Sequence, residues 1–493
     1  MGSGFRLYKD DETPLYVQAA DALRASISDG VYRHGDRLPS VRRLSDELGV
    51  NPATIVAAYR ILTKEGFIEA RPGSGAFVST EAPVDERSSA AQLRRGPDSL
   101  ASIPGGPDTG SVLEPIDMAA NAPPLDMFPL EDMKRFIVEA IDADGGKAFA
   151  YQDTAGYPPL KKAIADHLSL GSHIVRQSID PQDVHIVSGA QQGIDLVARI
   201  LLRRGDVAAL ESPGYRGARD AFIAAGARIV PLPVNGDGLD LQALERLASS
   251  RSLRLVHVNP SFQNPTGVLY SANNRSELAS LAERYGFYIV EDDLFSDLSW
   301  DCAPIPSIRS FDAAGRVLFV KSFSKCLMPG LRIACLEAPA AFRERIEGVK
   351  RSIDISSNGL MQRVLERFLL SGRFDEHLVS ARRRYKRAFH AFDSSLDRYH
   401  STGLEWGQAS GGINLWITLP PGVQARALSA ACLGKACLVA AESSFRYDQA
   451  EGGDTDSHIR VSFGSIPMKD IERGARAIGE ATLSLLSTKE PRA

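Results

Sequence analysis

Four short apolar runs, each leading directly into a polar tail, constrain this chain more than any other feature. VHIV (184–187) leads into SGAQQG and a helical stretch, LRLVHV (253–258) into NPSFQNPTG, GFYIV (286–290) into EDDLF, and RVLFV (316–320) into KSFSK. From about residue 113 onward such runs alternate with longer helical patterns, which is the signature of a mostly parallel α/β sheet. Ligands bind beyond the carboxyl ends of the strands in an open parallel sheet, so the four tails are expected to line one crevice.

The tails carry a consistent chemistry. A phosphate needs backbone N–H donors at a helix start, which the Ser188-Gly189-Ala190-Gln191 turn can supply. It also gains from hydroxyls and a fixed cation, for which Ser322, Ser324 and Arg332 are available. A pyridine nitrogen is kept protonated by a carboxylate, and Asp292 is placed for that. An aldehyde needs an amine for a Schiff base, and Lys325 stands among small and hydroxyl residues at a strand end. A flat ring takes an aromatic lid, for which Tyr215 in ESPGYRG is the candidate. Each residue has a plainer explanation when taken singly: a solvated lysine, a capping aspartate, an ordinary turn. Their conjunction, in this order, points to pyridoxal 5'-phosphate (PLP) held through Lys325, with no metal.

The first eighty residues are a different kind of sequence. Leu15, Ala19, Ala22, Leu23 and Ile27 repeat at helical spacing. Ser40 is an N-cap for a helix over about 41–48, and Gly49 is its stop. Asn51 can cap a second helix that has Pro52 at its first position and carries Ile55, Ala58, Tyr59 and Leu62 inward. FIEAR, a PGSG turn and AFV predict a two-stranded hairpin, or wing. A helix–turn–helix with a wing binds DNA by placing the second helix in the major groove. The exposed candidates are Asn51, Ala53 and Thr54 on that helix, Ser40 and Arg42 before it, and Arg71 with Gly73 and Gly75 in the wing. Ten Lys/Arg are balanced by ten Asp/Glu over residues 1–80, so modest non-specific affinity and reliance on dimeric half-sites are expected.

Residues 81–112 are rich in Ser, Pro, Gly, Ala and charge, and they predict a linker. The expected organisation is therefore a DNA-binding domain over 1–80, the linker, and a PLP-binding domain over 113–493. The large part of that domain would span about 150–340, and the small part would come from 113–149 and 341–493. The net charge of −4 gives no global attraction to nucleic acid. No run of about 18 apolar residues predicts a membrane span, and MGSGFRLYKDDE lacks the apolar run of a signal peptide. Five cysteines, none spaced CxxC, fit a reducing cytoplasm.

Two resemblances follow from these motifs. LPS-x-R-x-L-x-x-x-LGV, T-I-x-x-AY-x-x-L-x-x-EG and R-x-GSG-x-FV, over roughly 13–79, resemble the GntR-type winged helix, which implies a DNA contact for Arg42. Pro52 and Ala53 depart from that pattern. YQDTAGYPPLKKAIA, SGAQQGIDL, ESPGY, NPSFQNPTG, EDD, SFSKCLMPGLRIA and HIRVSFG closely resemble fold-type I aminotransferases over roughly 113–480. That resemblance makes Lys325 the Schiff-base lysine, Asp292 the pyridinium partner and Tyr215 the stacking ring. Asn264 would hydrogen-bond the ring hydroxyl, and Gly189, Ala190, Gln191, Ser322 and Arg332 would hold the phosphate. Tyr151 would reach the phosphate of a neighbouring subunit, and Arg460 would bind a substrate α-carboxylate. Phe295 stands where a tyrosine is usual, and Ala190 replaces a residue that often brings a hydroxyl to the phosphate.

Together the two halves resemble the MocR subgroup of GntR-like transcription regulators. This implies a head-to-tail homodimer that binds double-stranded operator DNA and senses PLP or an amino-compound effector through an aldimine at Lys325. The alternative is a working amino acid aminotransferase with an appended DNA-binding module. Phe295 favours the regulator, whereas Lys325, Asp292 and Arg460 keep the enzyme in play.

Overall fold

A computed structural model of the chain describes residues 14–28, 32, 35–71, 75–79, 115–171, 178–250, 253–447 and 456–487. The expected linker 81–112 and Gly73 of the wing lie outside the described residues, as does the side chain of Arg71. The chain divides into two units, Met1–Asp108 and Thr109–Ala493.

In the first unit, local capping sets the helix ends. α1 spans Leu15–Ser28, α2 Val41–Leu48 and α3 Pro52–Lys64. Ser40 Oγ accepts from the Arg43 N–H at 3.3 Å, and Gly49 stops α2 in the left-handed region at φ 63°. Asn51 Oδ1 accepts from the Ala53 N–H at 2.9 Å. The wing is β1 (Ile68–Arg71) paired antiparallel with β2 (Gly75–Val78). Ala19, Leu23, Leu44, Ile55, Ala58 and Leu62 are fully buried in one core. Two polar anchors were not visible as such in the sequence. Arg24, only 6% exposed, pairs with Glu65 at 2.6 Å, and the half-buried Tyr59 donates to the Pro39 carbonyl at 2.6 Å.

In the second unit a short β3 (Ile116–Asp117) precedes an eight-stranded sheet. Its strands are β4 (Val184–Val187), β5 (Val207–Ser212), β6 (Arg228–Asn235), β7 (Gly238–Leu239), β8 (Leu253–Val258), β9 (Tyr288–Asp293), β10 (Val317–Ser322) and β11 (Ala334–Glu337). The spatial order is β4-β11-β10-β9-β8-β5-β6-β7. From β10 through β9, β8 and β5 to β6 every pair is parallel, whereas β11 runs antiparallel to both β10 and β4. Because β11 reverses between them, β4 and β10 point the same way, and the tails leave the sheet at one end.

Two details differ from the sequence expectation. β11 is an unpredicted strand: three apolar residues, Ala334, Cys335 and Leu336, are followed at once by the charged Glu337. Glu291–Asp293 and Lys321–Ser322, expected beyond strand ends, are themselves in the β9 and β10 ladders. Lys321 and Asp293 tolerate burial because Lys321 Nζ lies 2.8 Å from both Asp293 and Asp297, and Glu291 because it accepts from the Ile308 and Arg309 N–H groups at 2.9 Å.

The smaller C-terminal part is an antiparallel sheet in the order β12 (Glu405–Trp406), β13 (Asn414–Thr418), β16 (His458–Ser462), β15 (Ala440–Ala441). β3 pairs in parallel with β14 (Cys437–Leu438). The segment 113–149 does not behave as one piece. Ile116 and Met118 join the C-terminal core, while the helix Leu130–Asp144 packs on Gly359–Leu370, with Phe136 and Phe368 edge to face at 5.7 Å. The long helix Arg373–Leu396 serves both cores. Its Phe374 and Leu378 pack towards the large sheet, and Phe389, Phe392 and Leu396 towards the small one.

Candidate functional site

The expected site residues gather near the carboxyl ends of β8, β9 and β10, with Arg460 reaching Asn264 from the middle of β16. Asp292, on β9, is 1% exposed. Its Oδ1 has no hydrogen-bond partner among the described residues, and its Oδ2 lies 3.6 Å from His257 Nε2 on β8. Asn259 Nδ2 donates to the Asp292 carbonyl at 2.5 Å, and Asn259 Oδ1 accepts from the Asn264 N–H at 2.8 Å. One asparagine thereby ties two of the expected site residues together.

Lys325 follows β10, and its Nζ donates to the Asn121 carbonyl. Burial, reinforced by the positive charge of Arg460 and opposed by Asp292, draws its pKa down to about 8. Arg460, on β16, donates from Nη1 to Asn264 Oδ1 at 3.0 Å and from Nη2 to the Ala119 carbonyl. Its Nε is buried without a partner, and the guanidinium lies 4.9 Å from the Phe445 ring. Burial lowers its pKa to about 10.

Gly189 adopts φ 97° and opens the helix Ala190–Leu201 with no side-chain cap. The Gln192 N–H is taken by the Gly189 carbonyl at 3.1 Å, which leaves the Ala190 and Gln191 N–H groups for an anion. Arg332 Nη2 donates to the Ser188 carbonyl at 2.6 Å, and a Cβ on Gly189 would come within 2.5 Å of the same nitrogen. Only glycine lets the guanidinium and the helix start approach so closely. Ser322 Oγ accepts from the Ser324 N–H at 3.3 Å. Tyr215 donates to Gln191 Oε1 at 2.8 Å, and its ring lies 6.5 Å from that of His257. Burial pushes the Tyr215 hydroxyl up to about 12.

Behind Asn264 a fully buried carboxylate organises the loop. Glu211 accepts from the Tyr270 hydroxyl (2.5 Å), the Asn259 N–H (2.9 Å) and Gln263 Nε2 (3.0 Å). Burial raises its pKa.

The unpartnered Asp292 Oδ1 and Arg460 Nε, the uncapped helix start at Gly189 and a buried amine of lowered pKa fit a phosphate-bearing pyridine aldehyde. Tyr151 makes none of these contacts and is 83% exposed. Phe295 is 0% exposed, packed in the apolar core, and has no hydroxyl to offer. His257, Asn259, Asn121 and Glu211 were missed in the sequence. A hint was the polar His257 near the end of β8, a strand that otherwise departs from apolar residues only at Arg254.

On the first unit, Arg42, Asn51 and Ser40 are exposed, and Thr54 is partly buried. Gly75 adopts φ 110° at the wing. Arg37, which the motifs did not single out, is exposed and lies so close that a Cβ on Gly75 would sit 3.0 Å from its Nε.

The chain matches the family model for aminotransferase class I and II over residues 114–478, and that for bacterial regulatory proteins of the gntR family over residues 15–78. It is 32% identical to the probable rhizopine catabolism regulatory protein MocR of Rhizobium meliloti, over 83% of this chain and 82% of that one. It is 29% identical to the uncharacterized HTH-type transcriptional regulator YdfD of Bacillus subtilis, over 96% and 97% of the two chains. The crystal structure of LysN, the α-aminoadipate aminotransferase of Thermus thermophilus, was solved with N-(5'-phosphopyridoxyl)-L-leucine. It superposes with a TM-score of 0.70 at 30% identity, covering 76% of this chain and 93% of that one. With an aminotransferase class I and II domain behind a gntR-type module, the chain belongs to the MocR subgroup of GntR-like transcription regulators.

Proposed function

We propose that the protein is a cytoplasmic, PLP-dependent transcription regulator, in which the first unit binds operator DNA and the second senses PLP or an amino compound. The observation that carries this reading is the buried, unpartnered Asp292 Oδ1 in the same crevice as Lys325, in a chain that also holds a winged helix. When bound, PLP supplies an electron-withdrawing ring and an aldehyde that reacts reversibly with amines.

The residues divide the work. Asp292, buttressed by His257, holds the proton on the ring nitrogen. Asn264 serves the ring hydroxyl, and Tyr215 covers the ring face. The Ala190 and Gln191 N–H groups, which Gly189 turns toward the helix start, would hold the phosphate with Ser322, Ser324 and Arg332. Arg460, whose Nε has no partner among the described residues, would take the effector carboxylate. A homodimer, head to tail, would bring Tyr151 to the neighbouring phosphate. The exposure of Leu125, Leu130 and Phe149 beside Tyr151 in sequence supports an interface there. For the effector to act at DNA, it must bind one arrangement of the dimer more tightly than another.

The DNA half is tested at Arg42. Arg42→Ala should weaken binding to the protein's own upstream DNA about tenfold while leaving the visible absorption with PLP unchanged. An unaltered gel shift would remove the assignment. The cofactor half has a pH signature. Only the neutral amine of Lys325 attacks a carbonyl, so the band should develop faster on PLP addition as pH rises through about 8. Arg460→Gln removes a positive charge that lowers this value, and should move the midpoint to higher pH. A rate insensitive to pH around that value contradicts the assignment.

The presence of Lys325, Asp292 and Arg460 together supports a second reading, an active aminotransferase. Sustained turnover of an amino acid with a 2-oxo acid would establish it. The missing hydroxyl at Phe295 weighs against it.

A further inference from the structure

The helix Arg373–Leu396 carries RRRYKR at residues 382–387, a concentration of cations unmatched elsewhere in a chain of net charge −4. Most of these cations have work within the fold. Arg373 pairs with Asp132 and Glu376, Arg384 with Asp126 at 2.8 Å, and Lys386 with Asp301 at 2.5 Å. Arg382 donates to the Asp297 carbonyl at 2.7 Å.

Arg383 and Arg387 differ from these. Both are exposed, and neither forms a hydrogen bond or ion pair among the described residues. They stand one turn apart on the same face, because Phe374, Leu378, Ala381, Tyr385, Ala388 and Phe389 turn the opposite face into the cores. Like charges at this spacing repel and destabilise the helix, so the pair works against folding unless an anion meets it. Together with Val379, Ser380 and Lys386 they line a shallow depression of about 640 Å³, with Glu376 at its edge already paired to Arg373.

We propose that this face is a second DNA-contacting surface, binding the phosphodiester backbone of double-stranded DNA independently of sequence. This rests on the reading that the chain binds operator DNA. Two observations select DNA as the occupant. Guanidinium forks match phosphate oxygens bidentately. The first eighty residues are charge-neutral overall, so the winged helix alone is poorly provided with the counterion-releasing contacts on which most DNA affinity depends. Arg383 and Arg387 supply such contacts from the other unit.

The experiment compares the full-length wild type with the double variant Arg383→Glu/Arg387→Glu on two duplexes. One carries only the operator, and the other is extended on both sides by several helical turns. The wild type should bind the extended duplex more tightly. The double variant should lose that gain, and its log Kd against log salt should flatten by about two for each chain engaged. Its binding to the short duplex and its absorption with PLP should match the wild type, which also shows that the variant is folded.

An unchanged flank gain and salt slope in the double variant overturns the proposal alone. So does a wild type that binds the short duplex but gains nothing from the flanks. Loss of binding to polyglutamate without any change on DNA would assign the face to an acidic protein, and likewise overturns it. A wild type that binds neither duplex refutes the operator reading along with it.

Discussion

Lys325→Ala should abolish the visible absorption that the protein develops with PLP, and PLP should then dialyse away. The physical basis is that Lys325 is the amine in the crevice whose proton is easily lost. Burial and the charge of Arg460 bring its pKa down to about 8, so a substantial fraction is neutral near physiological pH. The nearby Lys321 offers no substitute. It is fully buried between Asp293 and Asp297, and their negative charges raise its pKa strongly and keep it protonated. The loss should therefore be complete rather than partial, leaving only the phosphate and ring contacts. Absorption spectra after PLP addition and dialysis read this directly, and a band retained in the variant would refute the role of Lys325. DNA binding without ligand should persist, because no residue of the winged helix is altered.

The second large effect is on stability. Glu211→Ala should destabilise the second unit by about 3–5 kcal/mol, because removing one buried acceptor leaves three buried donors unsatisfied at about 1–3 kcal/mol each. The Tyr270 hydroxyl, the Asn259 N–H and Gln263 Nε2 all donate to this one carboxylate. They belong to the loop that presents Asn264 to Arg460. Glu211→Gln should cost less, because its amide oxygen still accepts. Urea unfolding followed through the second unit measures both, and equal midpoints for wild type and Glu211→Ala would contradict the network's importance. The same substitution should weaken PLP binding, since Asn259 also holds the Asp292 carbonyl.

Much of the molecule is legible without its coordinates. The ends of α2 and α3 are written in Ser40, Gly49, Asn51 and Pro52, because capping is a local exchange between a side chain and the next turn of backbone. β4, β8 and β10 announce themselves because a strand covered on both faces is largely apolar, and β9 does so through its first three residues, 288–290. The residue types around a phosphate, a ring nitrogen and an aldehyde follow from chemistry alone, which is why Lys325, Asp292 and Gly189 are legible as candidates.

Tertiary structure decided the rest. β11, no shorter than β4, ends in the charged Glu337 and is defined by the ladders it makes with β10 and β4. Polar residues at strand ends look like loop, and only the pairing of Lys321 with Asp293 and Asp297 makes them strand. Lys325 meets the Asn121 carbonyl across 204 residues of sequence, and Arg460 meets Asn264 across 196. No local preference encodes such meetings. The sequence by itself determined which residues could hold a cofactor and which could cap a DNA-reading helix, because those properties belong to side chains and their near neighbours. Which buried groups stand unpartnered, and which arginines are left without an acid, depended on long-range packing, because only the folded chain assigns each polar group its partner.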